Sequence, residues 1–435
     1  MFKTLASAFK NKEIRKGMII TLLLLFVYRL GCFLPIPGIN KDAYGLTVSE
    51  DNLGVLSLLN SVTGSALSNG SFLALGITPY INASIIVQLL SVGIPALERL
   101  SKEGDEGRRK MNTITKVVAL VLAIAQGIGT VIGFGGSSLV NLFGSAPIWL
   151  TGAVVVLLMV AGTCFTMWLG DRITEQNIGN GISLIIFVGI MATAATAIAN
   201  AFQQIFGGNT SALWELLGFL ALALVVFVFI VFMDMAERRI PVQYAKQIKG
   251  RKMYGGQSSY IPMKVNANGV MPIIFASAII SFPSLIMQLC GVTRNSGWFA
   301  RFYYDYLGAG SVGYSILVGL LILGFAYFYS QIQFNPADVS QNIQQNGGFI
   351  PGIRAGKATT DYLKRVSNRI TLFGAVFLAF IAIVPSIVFS LVAGSSLELL
   401  NAFTATGMLI VVSVAIEFNQ QLEAQLMMKR HKNIL

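Results

Sequence analysis

The chain has 435 residues, 54% hydrophobic and only 11% charged, with a mean hydropathy of +0.70; soluble domains carry about 25% charged residues, so disorder and an ordinary water-soluble enzyme are excluded. Its 44 glycines and 12 prolines are scattered rather than periodic, which excludes a collagen-like or low-complexity chain. The formal charge is +12, the single histidine is His431 in the tail, and Cys32, Cys164 and Cys290 form no CxxC pair, so metal, triad and disulfide chemistry are poorly supplied.

A bilayer core takes about 20 apolar residues per helix. Ten stretches meet that length: 17–35, 72–92, 117–135, 149–169, 182–201, 213–233, 269–291, 312–330, 370–392 and 397–416. The first ends at Pro35-Ile36-Pro37-Gly38 with no small-residue cleavage site after it, so it reads as a span rather than a cleaved signal. A weaker apolar segment, 53–67, is too short and too rich in Ser, Gly and Asn to cross. It reads as a re-entrant or capping piece, tolerable at membrane depth only when enclosed by protein.

Ten alternating spans put both termini on one side, and the Lys/Arg distribution names that side. The N-terminus and the 2–3, 4–5, 6–7 and 8–9 connections, with the tail, hold 27 of the 31 Lys and Arg residues. The opposite face holds Lys41, Arg294 and Arg301, and Arg29 lies inside the first span, where it reads as a snorkelling or helix-pairing residue. The inner face is therefore cytosolic. Basic cytosolic loops are usually only topogenic. The 6–7 and 8–9 connections are longer than topology requires, and their cations are interleaved with Tyr244, Tyr254 and Tyr260. That suits docking of an acidic or polyanionic partner, RNA phosphate among the possibilities.

Reaction chemistry is sparse. Asp234, Glu417, Glu215 and Glu398 fall at span ends, so no mid-bilayer carboxylate relay is present. Gly308–Gly313 matches GxGxxG but opens a span rather than a βαβ unit. Gly352–Lys357 has the wrong glycine spacing for a phosphate loop, and Ala358 stands where Ser or Thr is needed; a tight turn is the better reading. Cofactors and metal sites are expected to be none. Polar residues do occur within the apolar stretches. Asn82, Gln88 and Gln126 stand in spans 2 and 3, and Asn266 just before span 7, where interhelical hydrogen bonding competes evenly with a functional role. Ile77 and Ile81, like Ile182 and Ile186, share a helix face at i, i+4 spacing, and by pattern alone are core or lipid-facing.

Several long motifs resemble the SecY family of protein-conducting channel subunits. They are RLG at 29–31 through PIPGI at 35–39, GITPYINASIIVQLL at 76–90, KEGDEGRRK at 102–110, WLGDRITEQNIGNG at 168–181, ERRIPVQYAK at 237–246, GGQSSYIPMKVNANGVMPIIFAS at 255–277 and FIPGIR at 349–354. The resemblance runs in order from span 1 to span 10. It implies an all-α membrane protein of ten transmembrane helices in two inverted pseudo-symmetric halves, 1–201 and 213–435, joined by an outer hinge at 202–212. It implies an hourglass pore whose constriction is Ile77, Ile81, Ile182, Ile186, Ile274 and Ile410, with 53–67 as a re-entrant plug. A lateral gate between spans 2–3 and 7–8 would contain Asn82, Gln88, Gln126, Asn266 and Phe282. The basic connections 234–268 and 331–369 would dock the SecA motor and the ribosome, rRNA included, through Arg238, Arg239, Lys249, Arg251, Lys252, Arg354 and Lys357. SecE, SecG, signal peptides, translocating polypeptides and the lipid bilayer are the other implied partners, and a bacterial cytoplasmic membrane with both termini cytosolic is the implied location.

Two other classes compete. A secondary transporter for a small solute would need a polar or charged pocket at mid-membrane, and a membrane-embedded transferase or protease would need paired carboxylates, a Ser/His pair or a metal set.

Overall fold

The computed structural model describes residues 2–39, 63–133, 139–141, 147–207, 210–244, 247–249, 252–254, 258–266, 269–289, 297–306, 311–392 and 405–432. Helices dominate it. In chain order they are α1 (Phe2–Lys10), α2 (Lys12–Gly31), α3 (Thr78–Gly93), α4 (Pro95–Lys102), α5 (Asp105–Gly133), α6 (Ile148–Thr174), α7 (Gly181–Phe206) and α8 (Thr210–Asp234). After four strands come α9 (Met271–Leu289), α10 (Trp298–Tyr306), α11 (Val312–Gln333), α12 (Pro336–Gln345), α13 (Lys357–Val392) and α14 (Ala405–Lys432). Among the described residues six helices are long and apolar enough to cross a membrane, and they carry the predicted spans 3, 4, 5, 6, 8 and 9. The other four predicted spans fall on α2, α3, α9 and α14. Span 2 starts later than its hydropathy, at Thr78, because 71–77 is irregular backbone tied to the end of α2.

What these helices expose shows their solvent. On α2, Met18, Thr21, Leu25 and Tyr28 are buried while Leu22, Leu23, Phe26 and Leu30 are exposed. On α8, Leu217, Leu224, Val225, Val228 and Phe232 are exposed. Apolar faces this broad are stable only where the surroundings are hydrocarbon.

The chain packs as two compact units: one of Met1–Phe219, Ala278–Tyr314 and Phe389–Leu435, the other of Leu220–Ser277 and Ser315–Val388. In the first, α1, α2, the turn after α6 and the last turns of α14 share a core of Ala8, Ile14, Met18, Ile178 and Leu422.

The second unit corrects the all-α expectation. The connections 234–268 and 331–369, read as loops, hold β1 (Glu237–Tyr244), β2 (Gln247–Lys249), β3 (Lys252–Tyr254), β4 (Ser258–Lys264) and β5 (Gly348–Phe349). β1 is the central strand of an antiparallel β4-β1-β5 sheet, with Ile240 opposite Ile261 and Gln243 opposite Phe349. Its alternation explains the strand: Ile240 and Val242 point inward, Arg239, Pro241 and Gln243 outward. Ile240, Val242, Met263, Ile343, Ile350 and Leu363 form one core, so both long connections fold as a single module. The 36 residues of α13 span about 54 Å at 1.5 Å per residue. That exceeds a bilayer core of about 30 Å, and the surplus carries Leu363 into this module. Gly352 and Gly356, at φ +82° and +95°, confirm the tight turn at 352–357.

Candidate functional site

Residues 63–77 form no regular element over most of their length, yet they are largely buried and internally hydrogen-bonded. Ser71 Oγ and Ser71 N–H both donate to the Ala66 carbonyl, at 3.0 and 3.1 Å. Ser68 Oγ donates to Ser65 O at 3.0 Å. Strand-like bonds tie the segment to the end of α2: Ile36 N–H to Gly70 O at 3.0 Å and Phe72 N–H to Leu34 O at 2.8 Å. Irregular backbone at membrane depth survives only when its polar groups are satisfied in this way. Two glycines permit the packing. A Cβ on Gly162 of α6 would lie 2.0 Å from the Phe72 carbonyl oxygen, and one on Gly64 would lie 2.3 Å from Arg29 Nη1. Of the predicted re-entrant segment 53–67, residues 53–62 lie outside the described residues, and 63–67 belong to this clasped stretch.

The segment delivers Ile77 to the start of α3. Ile77 is the N-cap residue and only 1% exposed, with Pro79 in the first turn, where its missing N–H costs nothing. Ile81, one turn on, donates its N–H back to Ile77 O at 3.1 Å. Ile182 opens α7 in a comparable way. Asn180 caps this helix by accepting the Ile182 N–H at 3.1 Å, and Thr174 Oγ1 accepts the Gly181 N–H at 2.9 Å. A Cβ on Gly181 would sit 2.0 Å from the Gly170 carbonyl, so only glycine lets α7 start this close to α6. Ile186 and Ile410 are also buried. These five isoleucines belong to one unit; Ile274, half-buried on α9, belongs to the other. A cavity of about 860 Å³ lies against Ile182, among Tyr80, Asn112, Asp171, Asn180 and Glu417. Among the described residues no lysine or arginine lines it.

The predicted polar residues have separate surroundings. Gln126 on α5 is buried, while Asn82 and Gln88 on α3 are half-buried. Asn266 is buried and donates to Asp234 Oδ1 at 2.6 Å, which pins the chain after β4 to the end of α8. Phe282 lies on α9. Missed from sequence was Lys116, counted only as a topogenic charge; it pairs with Asp171 at 2.5 Å across α5 and α6. Missed too was the contact of Arg29, whose Nη1 donates to Gly64 O at 3.1 Å. The signal was available: Arg29 is the one charge well inside a predicted span, four residues after the buried Leu25 and three before the buried Cys32.

The basic module is a different surface. Arg238 and Arg239 are exposed on β1, and Arg239 lies over the Tyr260 ring at 4.9 Å and pairs with Glu237 at 2.7 Å. The Glu237 hydrogen bond pushes the Arg239 guanidinium pKa further up, so its charge is fixed at any physiological pH. Arg354 and Lys357 are exposed at the turn before α13. Lys249 and Lys252 fall on β2 and β3, and Arg251 lies outside the described residues. Among the described residues no group of three or more His, Cys, Asp or Glu could hold a metal ion.

Comparison with known proteins gives one consistent result. The SecY family profile matches residues 71–419. The chain is 41% identical over 444 residues to the protein translocase subunit SecY of Streptomyces coelicolor, covering all of both chains. Its fold is similar to a solved protein-conducting channel, with a TM-score of 0.66 at 19% identity, covering 93% of this chain and 90% of that one. It is also similar to Sec61 in a canine ribosome-channel complex from the endoplasmic reticulum, with a TM-score of 0.60 at 17% identity and the same coverage.

Proposed function

This chain belongs to the SecY family and is the non-enzymatic, protein-conducting channel subunit of a protein translocase; from that premise we propose how its parts carry out conduction. Ten spans form two inverted halves, 1–201 and 213–435, around an hourglass pore, hinged at 202–212. Ile77, Ile81, Ile182, Ile186, Ile274 and Ile410 form its constriction, and 53–67 plugs it from outside. The observation that carries this reading is the burial of Ile77 at the end of the clasped segment 63–77. A narrow apolar ring excludes ions by dewetting. Branched aliphatic side chains still part and close around any passing polypeptide backbone. The polar cavity beside Ile182 is the cytosolic vestibule in which that polypeptide remains hydrated.

The energy comes from partners. Arg238, Arg239, Lys249, Arg251, Lys252, Arg354 and Lys357 dock SecA and the ribosome from the cytosolic side of a bacterial cytoplasmic membrane, while SecE and SecG complete the channel. Exposure of Arg238, Arg239, Arg354 and Lys357 and the apolar core of their module support this role. Signal peptides leave sideways between spans 2–3 and 7–8, past Asn82, Gln88, Gln126, Asn266 and Phe282. Polar contacts in such a gate are worth about 1 kcal/mol each, weak enough for a hydrophobic signal to displace.

The gate is tested with cysteines at Asn82 and Phe282. A direct disulfide, which holds Cα atoms roughly 4.4–6.8 Å apart, is expected to abolish export and membrane insertion, with reductant restoring both. A long flexible crosslinker at the same pair is expected to be tolerated. Translocation of a presecretory protein at the reduced rate by the directly bonded channel contradicts lateral opening here, and a solute transporter would show no such dependence on linker length.

A further inference from the structure

Arg29 is the charge that this mechanism leaves without work. It is half-buried near the end of α2. On α2 and in the turn after it the exposed apolar residues are Leu22, Leu23, Phe26, Leu30 and Phe33, whereas Arg29 lies beside the stripe of Thr21, Leu25, Tyr28 and Cys32, all buried. Its Nη1 donates to the Gly64 carbonyl at 3.1 Å, and its guanidinium lies 5.3 Å from the centre of the Phe33 ring. That carbonyl is available because the backbone at 64 is irregular. Gly64 and Ser65 both have φ of +67°, a left-handed conformation that serine rarely adopts. Cys32 Sγ, one turn after Tyr28, lies 3.8 Å from the Thr63 carbonyl. On the other side Gly64 meets α7: a Cβ there would lie 3.1 Å from both the Cα and the carbonyl oxygen of Gly189. Gly64 is thus held between a cation and a helix backbone, with no room for any side chain. The fold continues from this point to Ile77, since Thr63 packs against Gly76, where a Cβ would be 3.0 Å from Thr63 Cγ2.

We infer that Arg29 is the positioning residue of the closed channel, clamping Gly64 against Gly189 and so fixing both the inner end of the plug and the approach to Ile77. This rests on the reading of 53–67 as a plug. An arginine in an apolar environment needs a strong acceptor. While the Gly64 carbonyl supplies it, moving the plug strands both the cation and the carbonyl, so the closed state is favoured until a substrate intervenes. A hydrogen bond from a charged group at such a site shifts a closed–open equilibrium by about tenfold to a hundredfold.

The test is the resting conductance of the purified channel in planar bilayers, measured beside its thermal unfolding temperature. Arg29→Gln is expected to raise resting conductance at least about tenfold with little change in unfolding temperature, and to admit substrates with weakened signal sequences. Arg29→Lys, which keeps the charge but offers fewer donors, is expected to restore most of the seal. Gly64→Ala is expected to leak as Arg29→Gln does. A deletion of residues 54–61 separates the two layers of the argument. If the deletion leaks and Arg29→Gln conducts like wild type, the clamp is overturned and the plug reading stands. If the deletion itself conducts like wild type, the plug reading falls and takes the clamp with it. Loss of thermal stability in Arg29→Gln that Arg29→Lys does not rescue would make Arg29 a general structural residue and overturn the inference.

Discussion

Around Ile77 the backbone is irregular, buried and crowded, and it depends on missing side chains: Gly64, Gly162 and Gly181 each sit where a Cβ would meet another group within 2.3 Å. Around Ile240 the backbone is a regular sheet over an ordinary apolar core, and its outward positions hold exposed cations and aromatic rings. On the proposed reading the first region works by shape, because a seal against ions needs close apolar packing at the constriction. On the same reading the second works by charge on a folded support, because docking needs cations held in place but left in water. Damage should therefore differ in kind. Small steric changes should destroy the first region, and charge changes should silence the second without unfolding it.

The largest effect is expected at Gly162. In Gly162→Val the new side chain meets the Phe72 carbonyl, a backbone atom that cannot swing aside. A loss of about 3 kcal/mol or more is expected, seen as a lower unfolding temperature and reduced accumulation in membranes. Gly218→Val on α8, where nothing lies within 4 Å of an added Cβ, is the matched control and should cost far less. Equal losses at the two positions would erase the distinction drawn here.

A smaller effect, confined to binding, is expected in the basic module. Arg354→Glu should weaken binding of SecA, and Arg239→Glu with Arg251→Glu should weaken ribosome binding, each by about tenfold or more near physiological salt. The difference should shrink as salt rises. Unfolding temperature should not move, because Arg239 and Arg354 are exposed and the core beneath them is untouched. Wild-type affinity in these variants would return both connections to a purely topogenic role.

How much of this was readable in the sequence follows from the range of each interaction. Six predicted spans lie on long apolar helices, because hydropathy over about 20 residues is a local signal. The late start of α3 was not readable. Residues 72–77 are as apolar as a helix, but the Phe72 N–H is taken by the distant Leu34 carbonyl, and Ala74 and Gly76 donate only to the turn carbonyls of Ser71 and Leu73. The sheet was missed because β5 supplies two residues from a connection about a hundred positions away, and Pro241 and Pro262 hide the alternation of Ile240 and Val242. Asn266 was singled out as polar, but its partner Asp234 lies 32 residues upstream and nothing local names it. Arg29 is the instructive case. Its oddity was plain from composition, and its helix face could have been read from the spacing of Leu25 and Cys32, yet the acceptor at Gly64 exists only once the segment is folded.

The central claim is that the pore is sealed by apolar side chains rather than by a charged or polar filter. Resting ion conductance of the purified channel in planar bilayers tests it most directly, with Ile81, Ile186 and Ile274 replaced together by serine. The account predicts a channel that leaks ions at rest while still translocating a secretory polypeptide, because serine wets the constriction without narrowing it. A triple variant with wild-type resting conductance and normal translocation would remove these isoleucines from the seal and contradict the account.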